Sequence, residues 1–174
     1  MNGYRGFKVP PRSTKDIRMI ACSFREIIGD PRLSMGMFLE KLLYQGMLHV
    51  VPNDDKRFAR NVEAVYIPDD KCIRLRQRDY EACVDWTNPR SIFTFSHEFG
   101  HLVLGHERSF NRDESQDHKI YEDSEWQANT FAAEFLMPLD IIDGEGLRTP
   151  EDIVRRFGVS YDAARTRLRR LKRI

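Results

Sequence analysis

The sequence predicts an α+β fold: two N-terminal helices, a small antiparallel sheet, then further helices. Three observations predict it. Apolar residues recur at helical spacing on both sides of the middle of the chain. Three short β-prone segments lie between residues 47 and 75. Strong helix-start and helix-stop residues fall outside those segments. The 174 residues suit one compact domain, with 41% hydrophobic and 32% charged residues, which excludes a disordered tail. The longest apolar runs, such as residues 37–39 and 48–51, fall far short of the roughly 20 residues that cross a bilayer, so no membrane partner is expected. The first fifteen residues lack an apolar stretch followed by a small-residue cleavage site, and no signal peptide is expected. Cys22, Cys72 and Cys83 are odd in number and widely spaced. They read neither as a disulfide framework nor as a CxxC knuckle, and a cytoplasmic location is expected.

The first helix is expected over residues 13–29. Ser13 can cap it, Asp16 sits in the first turn, and Ile17, Ile20, Ala21, Phe24, Ile27 and Ile28 form an apolar stripe, with Gly29 and Pro31 as the stop. A second helix is expected over 35–45, capped by Ser34 and ended by Gly46. Strands follow over 47–51, 63–67 and 72–75, with Pro68, Asp69, Asp70 and Lys71 as a tight hairpin turn. Residues 76–87 show no clear pattern. Asn88 then caps a helix whose first position is Pro89, where a missing N–H costs nothing, and which runs towards Gly105. Residues 107–120 read as a polar loop. A helix over 122–136 is stopped by Pro138, Thr149 opens another that ends at Gly158, and Ser160 caps a last one reaching Leu171. Residues 1–145 are expected to form the main domain, and 146–174 a basic helical hairpin packed on it.

The strongest chemical signal is His97-Glu98-Phe99-Gly100-His101, an HExxH pattern inside a predicted helix. Residues four apart share one helical face, about 6 Å apart along the axis, so both imidazoles can reach one ion about 2.0–2.1 Å from each nitrogen. Glu98 is offset by one position and flanks the metal without binding it. A carboxylate there can take a proton from an activated water and pass it to a leaving amine. Zn²⁺ fits this donor set, although spacing does not exclude another divalent ion. The opposite face, with Phe93, Leu102 and Val103, is expected to join the core.

A hydrolytic zinc site needs a third protein ligand and an open fourth position. His106 is one candidate. It is out of register with the HExxHxxGxxH pattern, which would need glycine at 104 and histidine at 107, where Leu104 and Glu107 stand. His118 lies in the polar loop. Glu125, near the start of the next helix, is the better candidate. Asn129, one turn on, could orient a ligand imidazole through its second nitrogen. The competing view makes Glu125 a solvated acid favoured by the helix dipole.

Residues 97–107 (HEFGHLVLGHE) and 124–138 (SEWQANTFAAEFLMP) resemble the ImmA/IrrE family of bacterial metallopeptidases, and the tail is similar to that family's ending in Phe157, Gly158, Val159, Ser160, then Ala163, Ala164, Arg167 and Leu168. The resemblance covers roughly residues 60–174. Phe99 replaces the usual leucine, and Gln127 stands where glutamate is frequent. The resemblance implies a minimal thermolysin-like (gluzincin) fold. It places His97, His101 and Glu125 on the ligand positions and Glu98 on the catalytic one. It further implies, as protein substrate, a helix-turn-helix repressor whose cleavage relieves repression of stress, mobile-element or phage-defence genes. An extended peptide could be held by strand addition, with residues 72–76 as the expected edge.

Net charge is +1, but it is unevenly spread. Residues 107–134 hold eight acids against three Lys/Arg, and residues 149–174 hold eight Lys/Arg against three acids. The tail reads as a helix-turn-helix hairpin, in which Arg165, Arg169, Arg170 and Arg173 are candidate nucleic-acid contacts. The alternative is a hairpin packed through Ile153, Val154, Phe157, Val159, Ala164, Leu168 and Leu171. That leaves open a second function, a DNA-binding regulator or toxin–antitoxin partner with a non-hydrolytic zinc. Tyr121 and His118 are candidate oxyanion stabilisers. Cys83 is either a thiolate that restrains the metal or a plain buried cysteine.

Overall fold

Capping side chains set most of the helix starts. In the computed structural model, which describes residues 6–56, 58, 62–107 and 118–173, Ser13 and Asp16 form a reciprocal capping box that opens α1 (Thr14–Ile28). Helix α2 (Pro31–Tyr44) begins earlier than the sequence suggested. Asp30 caps it by accepting from Arg32 N–H, and Pro31 takes the first helical position instead of acting as a stop. The patternless stretch after the strands contains α3 (Gln77–Val84). Asn88 caps α4 (Pro89–Leu104), which ends at Gly105 in the left-handed conformation. A short 3-10 turn (Ile120–Glu122) leads to Asp123, the cap of α5 (Ser124–Leu136). The chain then forms α6 (Leu139–Gly144), α7 (Pro150–Phe157) and α8 (Tyr161–Arg170). Most of the expected 107–120 loop lies outside the described residues.

Three strands are present among the described residues: β1 (Leu48–Val51), β2 (Ala64–Ile67) and β3 (Cys72–Arg76), in the order β1-β3-β2. The sheet is mixed, which corrects the antiparallel expectation. The Pro68–Lys71 turn, with Lys71 N–H donating to Pro68 C=O and Lys71 at φ 47°, does make β2 and β3 antiparallel. But β1 pairs with the other edge of β3 and runs parallel to it, Leu48 opposite Ile73. The expected edge at 72–76 is therefore wrong: β3 is paired on both sides, and β2 is an outer strand.

The core is aromatic where α4 crosses α5. Phe95 and Phe99 lie one turn apart on α4 and stack with centroids 6.1 Å apart, and Phe131 and Phe135 do the same on α5 at 5.8 Å. Phe99 meets Phe131 edge-on at 5.7 Å, and Phe38 from α2 closes on Phe99 at 5.0 Å. Gly100 lets the helices approach: a Cβ there would sit 3.1 Å from the Phe131 ring and 3.2 Å from Ala128 C=O. The core face of α4 is thus Ile92, Phe95 and Phe99. Phe93, Leu102 and Val103 are half-buried and pack against the edge of that core.

The basic hairpin α7–α8 joins the same core through Ile153, Phe157, Val159, Ala164 and Leu168. Buried beneath it, Glu134 of α5 receives two guanidinium forks. Arg167 reaches it at 2.6 and 2.8 Å and Arg18 of α1 at 3.1 Å, while Arg167 also donates to Met137 C=O. Glu134 stays below the usual carboxylate range. Burial pushes it up, and the two guanidinium partners outweigh that push. No described helix is long and apolar enough to cross a membrane.

Candidate metal centre

Helix α4 has two working faces because two positions advance about 200° around a helix. Phe95 and Phe99 face the core on one side of the α4–α5 contact, so His97 and His101, each two positions further on, lie on its other side. There the Nε2 atoms of His97 and His101 lie 3.0 Å apart. Glu125, in the first turn of α5, presents one carboxylate oxygen to each ring, at 3.2 Å from His97 Nε2 and 3.3 Å from His101 Nε2. These two imidazoles and one carboxylate, with ligand atoms within 4.8 Å of one another, could hold a metal ion. The donor set fits zinc: four donors at about 2.0–2.1 Å in a tetrahedron lie about 3.3 Å from one another.

Electrostatics match the geometry. Glu125 is held far below the ordinary carboxylate range by its contacts with the His101 and His97 rings. Burial pushes His97 down, but the hydrogen bond to Glu125 and the charges of Glu98 and Glu125 outweigh it, and the ring titrates above its usual value. Asn129 lies one turn beyond Glu125 on α5, with its Oδ1 3.2 Å from His97 Nδ1. Glu98 flanks the cluster, its Oε1 3.9 Å from His97 Nε2. Its other oxygen accepts from Tyr66 N–H at 2.7 Å, and burial raises its pKa. That contact also orients the sheet: Tyr66 N–H turns away from β3, so the outer edge of β2 runs beside Glu98.

The structure brings in residues that sequence reasoning passed over. Tyr66 supplies the backbone donor to Glu98, and its ring lies parallel to His101 with centroids 6.5 Å apart. His106, weighed only as a metal ligand, instead sits behind His101, with its Nδ1 2.9 Å from His101 Nδ1. Its Nε2 lies 3.1 Å from Gln127 Oε1, and burial pushes the ring down to about 4. The available signal was two histidines five apart around a helix-ending glycine, with a polar residue between Glu125 and Asn129.

Other candidates lie elsewhere. His118 is engaged with Asp123 Oδ2 at 2.9 Å, next to the α5 cap. The Tyr121 ring lies 5.7 Å from the Lys119 ammonium, while its carbonyl accepts from Arg12 N–H and from Gln127. Cys83 is in the core, and burial pushes its thiol up to about 12, so it is not a thiolate at neutral pH. In the tail, Arg165 pairs loosely with Asp162 at 3.7 Å and Arg173 with Asp143 at 2.8 Å. Arg169 and Arg170 are exposed.

The HExxH helix thus packs against the small sheet and meets a carboxylate from the following helix. Residues 85–169 match the family model of the IrrE N-terminal-like domain, a peptidase family. That match supports membership of the ImmA/IrrE family, which the sequence resembles. No curated protein sequence matches the chain. Among solved structures, a Mycobacterium tuberculosis transcriptional regulator shares the fold, with a TM-score of 0.59 at 20% identity over 88% of this chain. The chain spans about half, 46%, of the length of that protein.

Proposed function

We propose that the chain is a zinc-dependent endopeptidase of the cytoplasm that cleaves a helix-turn-helix transcriptional repressor. One observation carries the catalytic part: Glu125 bridges two imidazoles one turn apart while Glu98 stands beside them with one oxygen uncommitted. A zinc ion held by His97, His101 and Glu125 would supply a Lewis acid that polarises the scissile carbonyl and acidifies the attacking water. Glu98 takes that water's proton on Oε1 and delivers it to the departing amine, while Tyr66 N–H fixes the other oxygen. Asn129 accepts from His97 Nδ1–H, which leaves Nε2 free for the metal. An extended substrate adds to the outer edge of β2 beside Glu98, in place of the edge expected at 72–76.

The repressor substrate rests on the family resemblance, and the fold neighbour's description as a transcriptional regulator agrees with a role in gene control. Direct nucleic-acid binding by the tail gains no support: Arg167 is buried on Glu134, and Arg173 and Arg165 have acidic partners.

The test is incubation of wild type and Glu98→Gln with a candidate repressor, read by intact-mass spectrometry beside metal content. Wild type is expected to cut at one place, and Glu98→Gln to retain its metal while cutting about 10²–10⁴-fold more slowly. Equal cutting by both proteins overturns the role of Glu98.

A further inference from the structure

The N-terminal arm, residues 6–12, lies outside the family match yet clasps the start of α5. Phe7 N–H donates to Ser124 Oγ and Phe7 C=O accepts from Ser124 N–H, while Gly6 N–H reaches Asp123 Oδ2. Val9 N–H donates to Glu122 C=O, and Arg12 N–H to Tyr121 C=O. The approach is close enough that a Cβ on Gly6 would fall on Ser124 Oγ and 2.8 Å from Glu125 Cγ. Between arm and helix lies the amide of Gln127, wholly buried, with Nε2 2.9 Å from Pro10 C=O and 2.8 Å from Tyr121 C=O.

Those two carbonyls determine every proton in the chain that follows. Carbonyls only accept, so the NH₂ of Gln127 must face them and its Oε1 must face His106. Oε1 only accepts, so the 3.1 Å contact needs a proton on His106 Nε2. A neutral His106 then has a bare Nδ1, and the 2.9 Å contact to His101 Nδ1 needs the proton on His101. His101 Nε2 is thereby left with its lone pair directed at His97 Nε2 and Glu125. On the other ring, Asn129 Oδ1 requires the same of His97. Facing one another at 3.0–3.3 Å, these ring nitrogens and the carboxylate need a proton or a metal ion between them.

We propose that His106, Gln127 and the carbonyl of Pro10 form a hydrogen-bonded chain, ordered from the N-terminal arm, that fixes His101 with Nδ1 protonated and Nε2 free before any metal arrives. His106 and Gln127 are positioning residues, and the arm becomes part of the metal centre. The inference rests on the metal-site reading above, but it concerns the chain's own protons and is readable without metal.

Long-range ¹⁵N–¹H spectra of the histidine rings test it directly. In metal-free and zinc-loaded wild type alike, His106 is expected to carry its proton on Nε2 and show a bare Nδ1. A proton on His106 Nδ1 in the metal-free protein reverses the chain's direction and overturns the proposal, whether or not the protein binds zinc. Zinc competition against a chelator supplies the second arm. His106→Leu is expected to lose about 10–100-fold in affinity, the usual cost of removing a ligand's outer partner. His106→Asn, whose amide oxygen stands near the ring Nδ1, is expected to recover most of that loss. Wild-type affinity in His106→Leu, or no recovery in His106→Asn with both variants unfolding as cooperatively as wild type, contradicts the role. Failure of wild type itself to take up zinc would instead sink the metal-site reading, and the tautomer result would stand apart from it.

Discussion

Helix α5 carries two carboxylates in opposite circumstances. Glu134, near its C-terminal end, is fully buried and gripped by the forks of Arg18 and Arg167. Glu125, in its first turn, meets two imidazoles and no guanidinium. Both titrate below the ordinary range, for different reasons: Glu134 has permanent cations, whereas Glu125 has only rings whose other nitrogens are committed elsewhere. A charge with permanent partners ties elements together, here α1, α5 and α8. A carboxylate that meets only ring nitrogens offers the donor set of a metal site. The two ends of one helix therefore divide stability from chemistry, and substitutions should separate them.

The largest stability effect is expected at Glu134. Glu134→Ala strands two guanidiniums, one of them buried, and should cost about 3–5 kcal/mol in denaturant unfolding. Glu125→Ala should cost the metal-free protein far less, yet abolish metal uptake. If both substitutions destabilised the metal-free protein equally, the division would fail.

Metal removal comes next. An ion bound only by the folded state at 100 times its Kd adds about 2.7 kcal/mol. Chelation should therefore lower the melting temperature of wild type and Glu134→Gln alike, but leave Glu125→Ala unchanged. A shift in Glu125→Ala would place the metal elsewhere.

The smallest effect is acid sensitivity. The folded pKa of Glu134 lies below its unfolded value of about 4.3, so its stabilisation is complete above that value. It is lost as pH falls through the folded pKa. Unfolding free energy of wild type minus that of Glu134→Gln, followed downwards from pH 5, should shrink. A constant difference would show that the ion pair does not set acid stability.

Local chemistry made much of this legible. Asn88 with Pro89, Thr149 with Pro150, and Ser160 announce their helices by their own hydrogen bonds, and these need no tertiary context. The errors arose where context decides. Pro31 stops one helix in isolation but begins another when Asp30 caps it. Strand direction is absent from a period-2 pattern, and only the packing of β1 on the far edge of β3 makes the sheet mixed. In the site, His97 and His101 stand at helical spacing, and Glu125 opens the next helix one turn before Asn129, so these could be read. His106 and Gln127 could not, because their roles depend on the carbonyl of Pro10, far away in the chain and without any motif. Nor does the sequence show that Arg167, within a basic tail, is buried on Glu134.

The most direct measurement is anomalous scattering at the zinc edge from crystals of the purified protein. One peak is expected per chain, about 2.0–2.1 Å from His97 Nε2, His101 Nε2 and a Glu125 oxygen, with a coordination position open towards Glu98. A peak ligated elsewhere, or one closed by a fourth protein side chain, would contradict the account.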